Sequence, residues 1–368
     1  MRVLLAVEQL RRAVPGGIGT YGRGLLQGLA SLGGARPEVA LLASRPPTHP
    51  DPLAGFGFPI TASPLPGPVL TRAWEAGLVG APHGYQVVHA ISLAAPPAGR
   101  AAAVVTVYDL AWRRLPETFP RRGRRWHERA LRRAIRGSAR FVVPSTATAS
   151  DLEAAGASAE RVSVVEAGCD HLPPPDRAAA ASELTRLGVT GPYLLSVGTL
   201  EPRKNLARLV AAYGLARARL PEPWPLVVVG PVGWGPSLPV SDGVHLAGPV
   251  SGGSLSGLYA GARCLAYVPL LEGFGLPPVE AMACGTPVVV SPLPSTAGRA
   301  GPEGSDGAVA LEVDPCDTEA IADALVRGAS DEALRERLSA AGRARASELT
   351  WERAARGHVE AWARAVAP

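Results

Sequence analysis

Two glutamates, Glu272 and Glu280, bracket the most chemically loaded stretch of this 368-residue chain, Glu272-Gly-Phe-Gly-Leu-Pro-Pro-Val-Glu280. Pro277 and Pro278 suit the first turn of a helix, and Gly285 suits its end. Gly273-Phe274-Gly275 would let backbone N–H groups approach a ligand at the helix N-terminus, whose partial positive charge favours phosphate. A carboxylate on either side could accept hydrogen bonds from ligand hydroxyls. Arg203 and Lys204, in Glu201-Pro-Arg-Lys-Asn205, follow an apolar run at 193–197 that reads as a strand. They therefore stand at its C-terminal end, the edge where open α/β sheets bind ligands. Two cations there could neutralise a diphosphate. Hydroxyls on both sides of a diphosphate are the chemistry of a nucleotide sugar.

Lys204 is the only lysine among the 37 basic residues, and Asn205 is the only asparagine. Both codons are A-rich, so a GC-rich coding sequence accounts for their scarcity. An adjacent Lys-Asn pair then marks a place where Arg or Ser would not serve, a compact ammonium differing from a guanidinium in reach and hydration.

The elements that must position these groups form two alternating series. In the first, an apolar strand at 2–7 leads to Pro15-Gly-Gly-Ile-Gly-Thr-Tyr21 and an apolar helical pattern, so the sequence predicts strand, glycine-rich loop, helix. Further strands are expected at 39–43, 87–90, 104–107, 141–143 and 162–165, and a long surface loop at 46–68. Pro173-Pro174-Pro175 interrupts the chain as an extended connector. Beyond it the pattern restarts with strands at 193–197, 226–229, 245–246, 264–267 and 288–291 and helices at 206–220 and 318–328. This alternation predicts parallel α/β sheets. The expected division is a Rossmann-like domain at 1–172, a hinge at 173–190, a second Rossmann-like domain at 191–349 and a last helix at 350–368.

Composition narrows the function classes. At 47% hydrophobic residues and 19% charged, the chain has material for two cores and is not disordered. No apolar run approaches the ~18–20 residues that span a bilayer, and the first strand is cut short by Glu8, unlike a signal peptide. A cytoplasmic protein is expected. Cys169, Cys264, Cys284 and Cys316 lack metal-site spacing and read as reduced thiols. Residues 1–175 carry 20 basic and 12 acidic residues, a balance of +8, and the remainder balances at −3. Much of the excess runs from Arg113 to Arg140, interleaved with Trp112, Phe119 and Trp126. No nucleic-acid module accompanies it. The two readings are a solvated arginine face and a surface for anionic lipid on the inner face of the plasma membrane.

The ordered motif set resembles the retaining glycosyltransferases of family 4, which have the GT-B fold, and within them a bacterial mannosyltransferase-like branch. The residues that carry the resemblance are Gly16-Gly-Ile-Gly-Thr-Tyr21, Val105-Thr-Val-Tyr-Asp-Leu110, Pro144-Ser145, Gly198-Thr-Leu-Glu-Pro-Arg-Lys-Asn205, Gly248-Pro-Val-Ser251 and Leu258-Tyr-Ala-Gly-Ala262. The Glu272/Glu280 element and Thr350-Trp351-Glu352 complete them. The resemblance implies two Rossmann-like domains facing a cleft, with the last helix crossing back to the first domain. It implies transfer of a hexose, mannose preferred, from a nucleoside diphosphate sugar, GDP-mannose favoured, to a glycan or lipid-linked acceptor in envelope or polysaccharide synthesis. Glu272 would bind the donor sugar and Glu280 the ribose. Arg203 and Lys204 would hold the diphosphate as it leaves, helped by the N–H groups of Phe274, Gly275 and Leu276 and by Gly16, Gly17 and Gly19. The backbone at Val250 would touch the base, and Asp109 and Tyr21 would face the acceptor. Relatives need no cofactor and usually no metal, and this chain offers no Asp-x-Asp motif.

One position departs from the family pattern. Many relatives have His where this chain has Tyr108, and tyrosine does not titrate near neutrality. Three outcomes stay open: Tyr108 serves as a hydrogen-bond donor in catalysis, His89 compensates, or turnover is impaired and the chain is a nucleotide-sugar-binding scaffold. His89 otherwise reads as a structural residue at a strand end, His127 as a solvated one, and Asp109 as a turn cap. A nicotinamide oxidoreductase is disfavoured because Gly16-Gly-Ile-Gly-Thr-Tyr-Gly22 lacks the Gly-x-Gly-x-x-Gly register.

Overall fold

The computed structural model describes residues 1–47, 50–137, 139–238, 241–301 and 307–367. The chain divides into two units, Met1–Gly168 with Thr350–Pro368, and Cys169–Leu349.

In the first unit, β1 (Arg2–Ala6) is followed by α1 (Gly16–Ser31), β2 (Glu38–Ala43), β3 (Ile60–Ala62), α2 (Gly67–Glu75), β4 (Val87–Ala90) and β5 (Ala102–Thr106). Next come the short α3 (Ala111–Arg114), α4 (Arg121–Arg136), β6 (Arg140–Val143), α5 (Thr146–Ala154) and β7 (Val162–Val164). The seven strands are parallel in the order β3-β2-β1-β4-β5-β6-β7. β1 lies inside this sheet, with Leu4 opposite Ala40 on one side and Val88 on the other. Helices cover both faces, which is why Val3, Leu4 and Leu5 are all fully buried and the strand reads as an unbroken apolar run.

Two expectations are corrected here. The glycine-rich segment is not a loop: residues 16–19 are the first turn of α1, begun where the Pro15 carbonyl accepts the Gly19 N–H at 3.1 Å. The stretch at 46–68 is not structureless either. It carries β3, paired with β2 at Leu41 and Ile60, and the start of α2; its positions 48 and 49 lie outside the described residues. A three-residue edge strand has too little apolar alternation to stand out in a proline-rich sequence.

The second unit contains α6 (Arg177–Arg186), β8 (Leu194–Val197), α7 (Leu206–Arg217), β9 (Leu226–Val229), β10 (Val244–Gly248), α8 (Gly252–Gly261) and β11 (Cys264–Tyr267). It continues with α9 (Leu276–Ala283), β12 (Val288–Val290), β13 (Ala300–Gly301), β14 (Ala310–Glu312), α10 (Thr318–Ser330) and α11 (Glu332–Ser347). Its parallel sheet runs β10-β9-β8-β11-β12-β14-β13. The stretch expected as a hinge at 173–190 differs. Asp176 caps α6 by accepting the Ala179 N–H at 2.9 Å, and Gly257 of α8 approaches the Asp176 backbone so closely that a Cβ would stand 2.4 Å from its carbonyl oxygen. The helix is thereby fixed to the second unit.

The last helix, α12 (Trp351–Val366), folds with the first unit. It packs on α1 where Gly24 and Gly28 leave room: a Cβ on Gly24 would lie 2.0 Å from the Trp351 ring, and one on Gly28 2.0 Å from the Trp351 carbonyl oxygen. Glycines four apart share one helix face, so together they seat Trp351, Gly24 against its ring and Gly28 against its backbone.

Candidate active site

Both cations expected at the end of β8 meet Glu272. Lys204 Nζ is 2.5 Å from Glu272 Oε1, and Arg203 Nη1 is 2.8 Å from the same oxygen. Arg203 also donates to the Leu271 carbonyl at 2.9 Å and to Glu201 Oε1 at 2.8 Å, so one guanidinium ties two carboxylates. Lys204 donates to the Tyr267 hydroxyl at 2.8 Å at the end of β11. The Glu272 side chain is 11% exposed. Burial alone would raise its pKa, but the charges of Arg203 and Lys204 outweigh that and hold it at about 2. For Glu201, burial prevails over the same cations and its pKa is raised. Two carboxylates and two cations thus form a charge-balanced cluster at the C-terminal edge of the sheet.

Asn205 sets this cluster's backbone. It takes φ +59°, the only positive φ outside glycine among the described residues, and its Nδ2 bridges the carbonyls of Val268 at 3.0 Å and Pro315 at 2.7 Å. Asparagine tolerates the left-handed conformation and supplies the two donors, which serine could not. Gly198 and Gly230, at the ends of β8 and β9, touch closely enough that a Cβ on Gly230 would lie 2.0 Å from the Gly198 carbonyl oxygen. The Lys204 stem lies near Gly198, within 3.7 Å of where a Cβ there would be.

α9 begins as expected. Gly275 caps it at φ +96°, Pro277 and Pro278 occupy its first turn, and Gly285 follows its end at φ +79°. Phe274 is buried, and its carbonyl accepts the Ser295 N–H at 3.1 Å. Leu276 opens the helix beside Gly275. Glu280, in the second turn, is buried: Oε2 accepts the Tyr259 hydroxyl at 2.8 Å, and His171 Nε2 is 3.2 Å from Oε1. Val250 lies in the same unit, in the half-buried link between β10 and α8.

The remaining expected residues belong to the first unit. Gly16 (φ +62°) and Gly17 have open space where a side chain would go, whereas a Cβ on Gly19 would strike Pro15. The Tyr108 hydroxyl, expected as a hydrogen-bond donor in catalysis, donates to the Ile91 carbonyl at 2.8 Å. Burial, then the neighbouring Tyr21, pushes its pKa well up. Tyr21, expected to face the acceptor, is 2% exposed; its hydroxyl is 2.7 Å from His358 Nε2, and its ring meets Tyr108 edge-on. His89 is fully buried and stacked on His358. Trp362 donates to its Nδ1 at 2.9 Å, so its proton sits on Nε2, 2.9 Å from Thr106 Oγ1. That is the structural role, and it leaves His89 unable to stand in for a titrating group. Asp109 accepts the Ala111 N–H at 2.9 Å as a turn cap. His127 is not simply solvated. It stacks on Trp112 at 4.8 Å and meets Trp126 edge-on, because the apolar residues interleaved with the arginines need a partner face.

Four site residues carry no role in the sequence reading: Glu201, Tyr267, His171 and Tyr259. Glu201 and Tyr259 lie inside the quoted motifs, so the signal was present without a role attached. His171 stands just before the prolines and reads as linker until the fold returns it to Glu280. Among the described residues no helix is long and apolar enough to cross a membrane.

Each unit is a doubly wound parallel sheet with its functional groups at the C-terminal edge, the architecture of nucleotide-binding α/β enzymes. Residues 183–345 match the family of glycosyl transferases group 1, and residues 15–171 match glycosyltransferase family 4. The O-antigen chain mannosyltransferase B of Escherichia coli is 31% identical over 265 residues, covering 68% of this chain and 67% of that protein. The serotype-specific mannosyltransferase WbdA of E. coli is 29% identical over 182 residues, covering 47% of this chain but only 22% of WbdA. Anabaena Alr3699/HepE, solved in complex with UDP and glucose, superposes with a TM-score of 0.72 at 19% identity, covering 98% of both chains. The chain belongs to the group 1 glycosyl transferases and has their GT-B fold.

Proposed function

We propose that the chain moves a hexose, mannose preferred, from a nucleoside diphosphate sugar to a glycan or lipid-linked acceptor, with retention at the anomeric carbon and without a metal. The observation that carries this reading is the convergence of Arg203 and Lys204 on Glu272 beside the start of α9. The incoming diphosphate draws the two cations to itself, and Glu272 is released to accept hydroxyls of the donor sugar. Growing charge on the departing diphosphate is met by cations and helix N–H groups already in place. Glu280, oriented by Tyr259 and His171, receives the ribose hydroxyls. The mannosyltransferase relatives favour mannose, and GDP-mannose is the donor proposed.

The basic surface from Arg113 to Arg140 supports peripheral binding to anionic lipid at the cytoplasmic face. Seven arginines of α4 are exposed, and Arg121, Arg122, Arg125 and Arg136 make no side-chain hydrogen bond or ion pair among the described residues, in which position 138 is not included.

A thermal-shift panel of GDP, UDP, ADP and dTDP, with and without their sugars, tests the donor reading. Selective stabilisation by GDP and GDP-mannose, followed by transfer that survives EDTA, is the expected result. Binding of a nucleotide sugar with neither hydrolysis nor transfer would favour the scaffold reading, to which the engaged Tyr108 hydroxyl lends support. No stabilisation by any nucleotide would overturn both.

A further inference from the structure

The loop that joins β11 to α9 is held by a segment to which the proposed reaction assigns no part. After β12 the chain passes Ser291 and makes one tight turn, Pro294–Thr296, in which Ser295 and Thr296 are buried. This stretch takes up the carbonyl groups of the loop. The Ser291 hydroxyl donates to the Pro269 carbonyl at 2.7 Å. Ser295 takes two carbonyls in succession: its N–H donates to that of Phe274 at 3.1 Å, and its hydroxyl to that of Gly275 at 3.2 Å. Only glycine suits position 275, because φ is +96° and a Cβ would stand 3.2 Å from that hydroxyl and 3.1 Å from a Leu293 methyl. Ser295 is braced in turn by Arg345, a buried residue of α11. Its Nε donates to the Ser295 carbonyl at 3.3 Å, and its Nη1 meets Glu348 at 3.0 Å.

A trans peptide points its C=O and its N–H in opposite directions, and both peptides here are trans. Anchoring the Phe274 carbonyl therefore turns the Gly275 N–H away from Ser295, and anchoring the Gly275 carbonyl does the same for the Leu276 N–H. Neither N–H has an acceptor among the described residues, and Leu276 opens α9, where no carbonyl of the helix can reach it. With its carbonyls released, the chain could turn over at Gly275, since glycine adopts either hand at little cost. A turned peptide would offer phosphate a repelling oxygen in place of an attracting N–H. We infer that Ser295 is a positioning residue for transfer: by binding the carbonyls of Phe274 and Gly275 it keeps two N–H groups aimed at the diphosphate. Their orientation follows from the backbone; their use on a diphosphate rests on the donor reading above.

The test compares the wild-type chain with Ser295→Ala, which loses the bond to Gly275 and keeps the one to Phe274, and with Ser295→Thr, which retains a hydroxyl. GDP, GMP and inorganic pyrophosphate are titrated calorimetrically, with UDP and UMP in parallel, and kcat and KM for the donor are measured on the same proteins. Ser295→Ala should bind the diphosphate and pyrophosphate at least about tenfold more weakly, the scale of a hydrogen bond to a charged group, and the monophosphate less than about threefold more weakly. Its kcat should fall at least about tenfold, and Ser295→Thr should restore affinity and kcat to within about threefold of wild type. A serine that merely holds the fold together would weaken GDP and GMP alike, and that result would overturn the inference. So would unchanged diphosphate affinity and kcat in Ser295→Ala, or a Ser295→Thr variant that melts like wild type but binds like Ser295→Ala. Should wild type bind pyrophosphate but no nucleotide, the donor reading fails, and the loss of pyrophosphate affinity in Ser295→Ala alone decides the role of Ser295. Wild type that binds none of the probes would sink both.

Discussion

Lys204 and Glu272, 68 positions apart in sequence, meet at 2.5 Å between Nζ and Oε1, with Tyr267 as the ammonium's second partner at 2.8 Å. Such a pair is held by more than its Coulomb attraction. Removing both ions from water is costly, and the cost is offset here by Arg203 on the same oxygen and by the tyrosine hydroxyl. The predictions below follow from this pair and from the buried groups of the first unit.

Lys204→Ala should lower transfer by at least about 100-fold, the scale of losing one preorganised transition-state donor. Lys204→Arg should recover little of it, because a planar fork does not reproduce the contacts to Glu272 and Tyr267 over Gly198. Steady-state transfer rates check both; near wild-type turnover in either variant would show that Lys204 does not meet the leaving group.

Glu272→Gln should also abolish transfer and should cost about 1–3 kcal/mol in stability, since Arg203 and Lys204 lose their shared anion. Denaturant titration reads the stability. A variant as stable as wild type would mean that the cluster is solvated rather than buried.

Tyr108→Phe removes the hydrogen bond to Ile91 and should cost about 1 kcal/mol of stability. Transfer should stay within about threefold of wild type. A larger fall in kcat, with KM unchanged, would return the hydroxyl to the reaction.

Stability should fall on mild acidification because of His358 and His89. Burial lowers the pKa of His358 to about 3, and burial together with His358 puts His89 well below its ordinary value. Both are therefore neutral in the fold, whereas the unfolded chain takes up protons below about pH 6.5. Stability is intact above that value and is lost as pH falls towards the folded values, by about 2 kcal/mol at pH 5 for His358, with a further loss from His89 in the same direction. Glu272, held at about 2, adds its own loss only below the usual carboxylate range. Denaturant midpoints at pH 7.5 and 5 give the slope, and His358→Asn should reduce it.

Charge reversal at Arg121, Arg122, Arg124 and Arg125 should weaken sedimentation with anionic vesicles by at least about tenfold at low salt, at roughly 1 kcal/mol per charge. Equal binding by wild type and variant would leave α4 a solvated face.

Much of this was legible in the chain itself. Val3 to Leu5 betray a doubly covered strand because every residue is apolar, and Gly275, Pro277 and Gly285 mark the limits of α9 because backbone geometry restricts those positions. The Lys-Asn pair pointed to the site through its rarity, and the left-handed Asn205 gives half of the reason. What was not legible depended on contacts distant in sequence. Nothing near Tyr108 reveals that Ile91 takes its hydroxyl, and nothing near Tyr21 shows His358 arriving from α12.

The seat that Gly24 and Gly28 offer to Trp351 also sets an order on synthesis. The second unit is an uninterrupted segment, complete once Leu349 has been added, whereas the first is missing α12 until residues 351–366 have followed it. During translation of the second unit, the glycine groove of α1 stands open to solvent. The first unit, though begun first, therefore closes after the second.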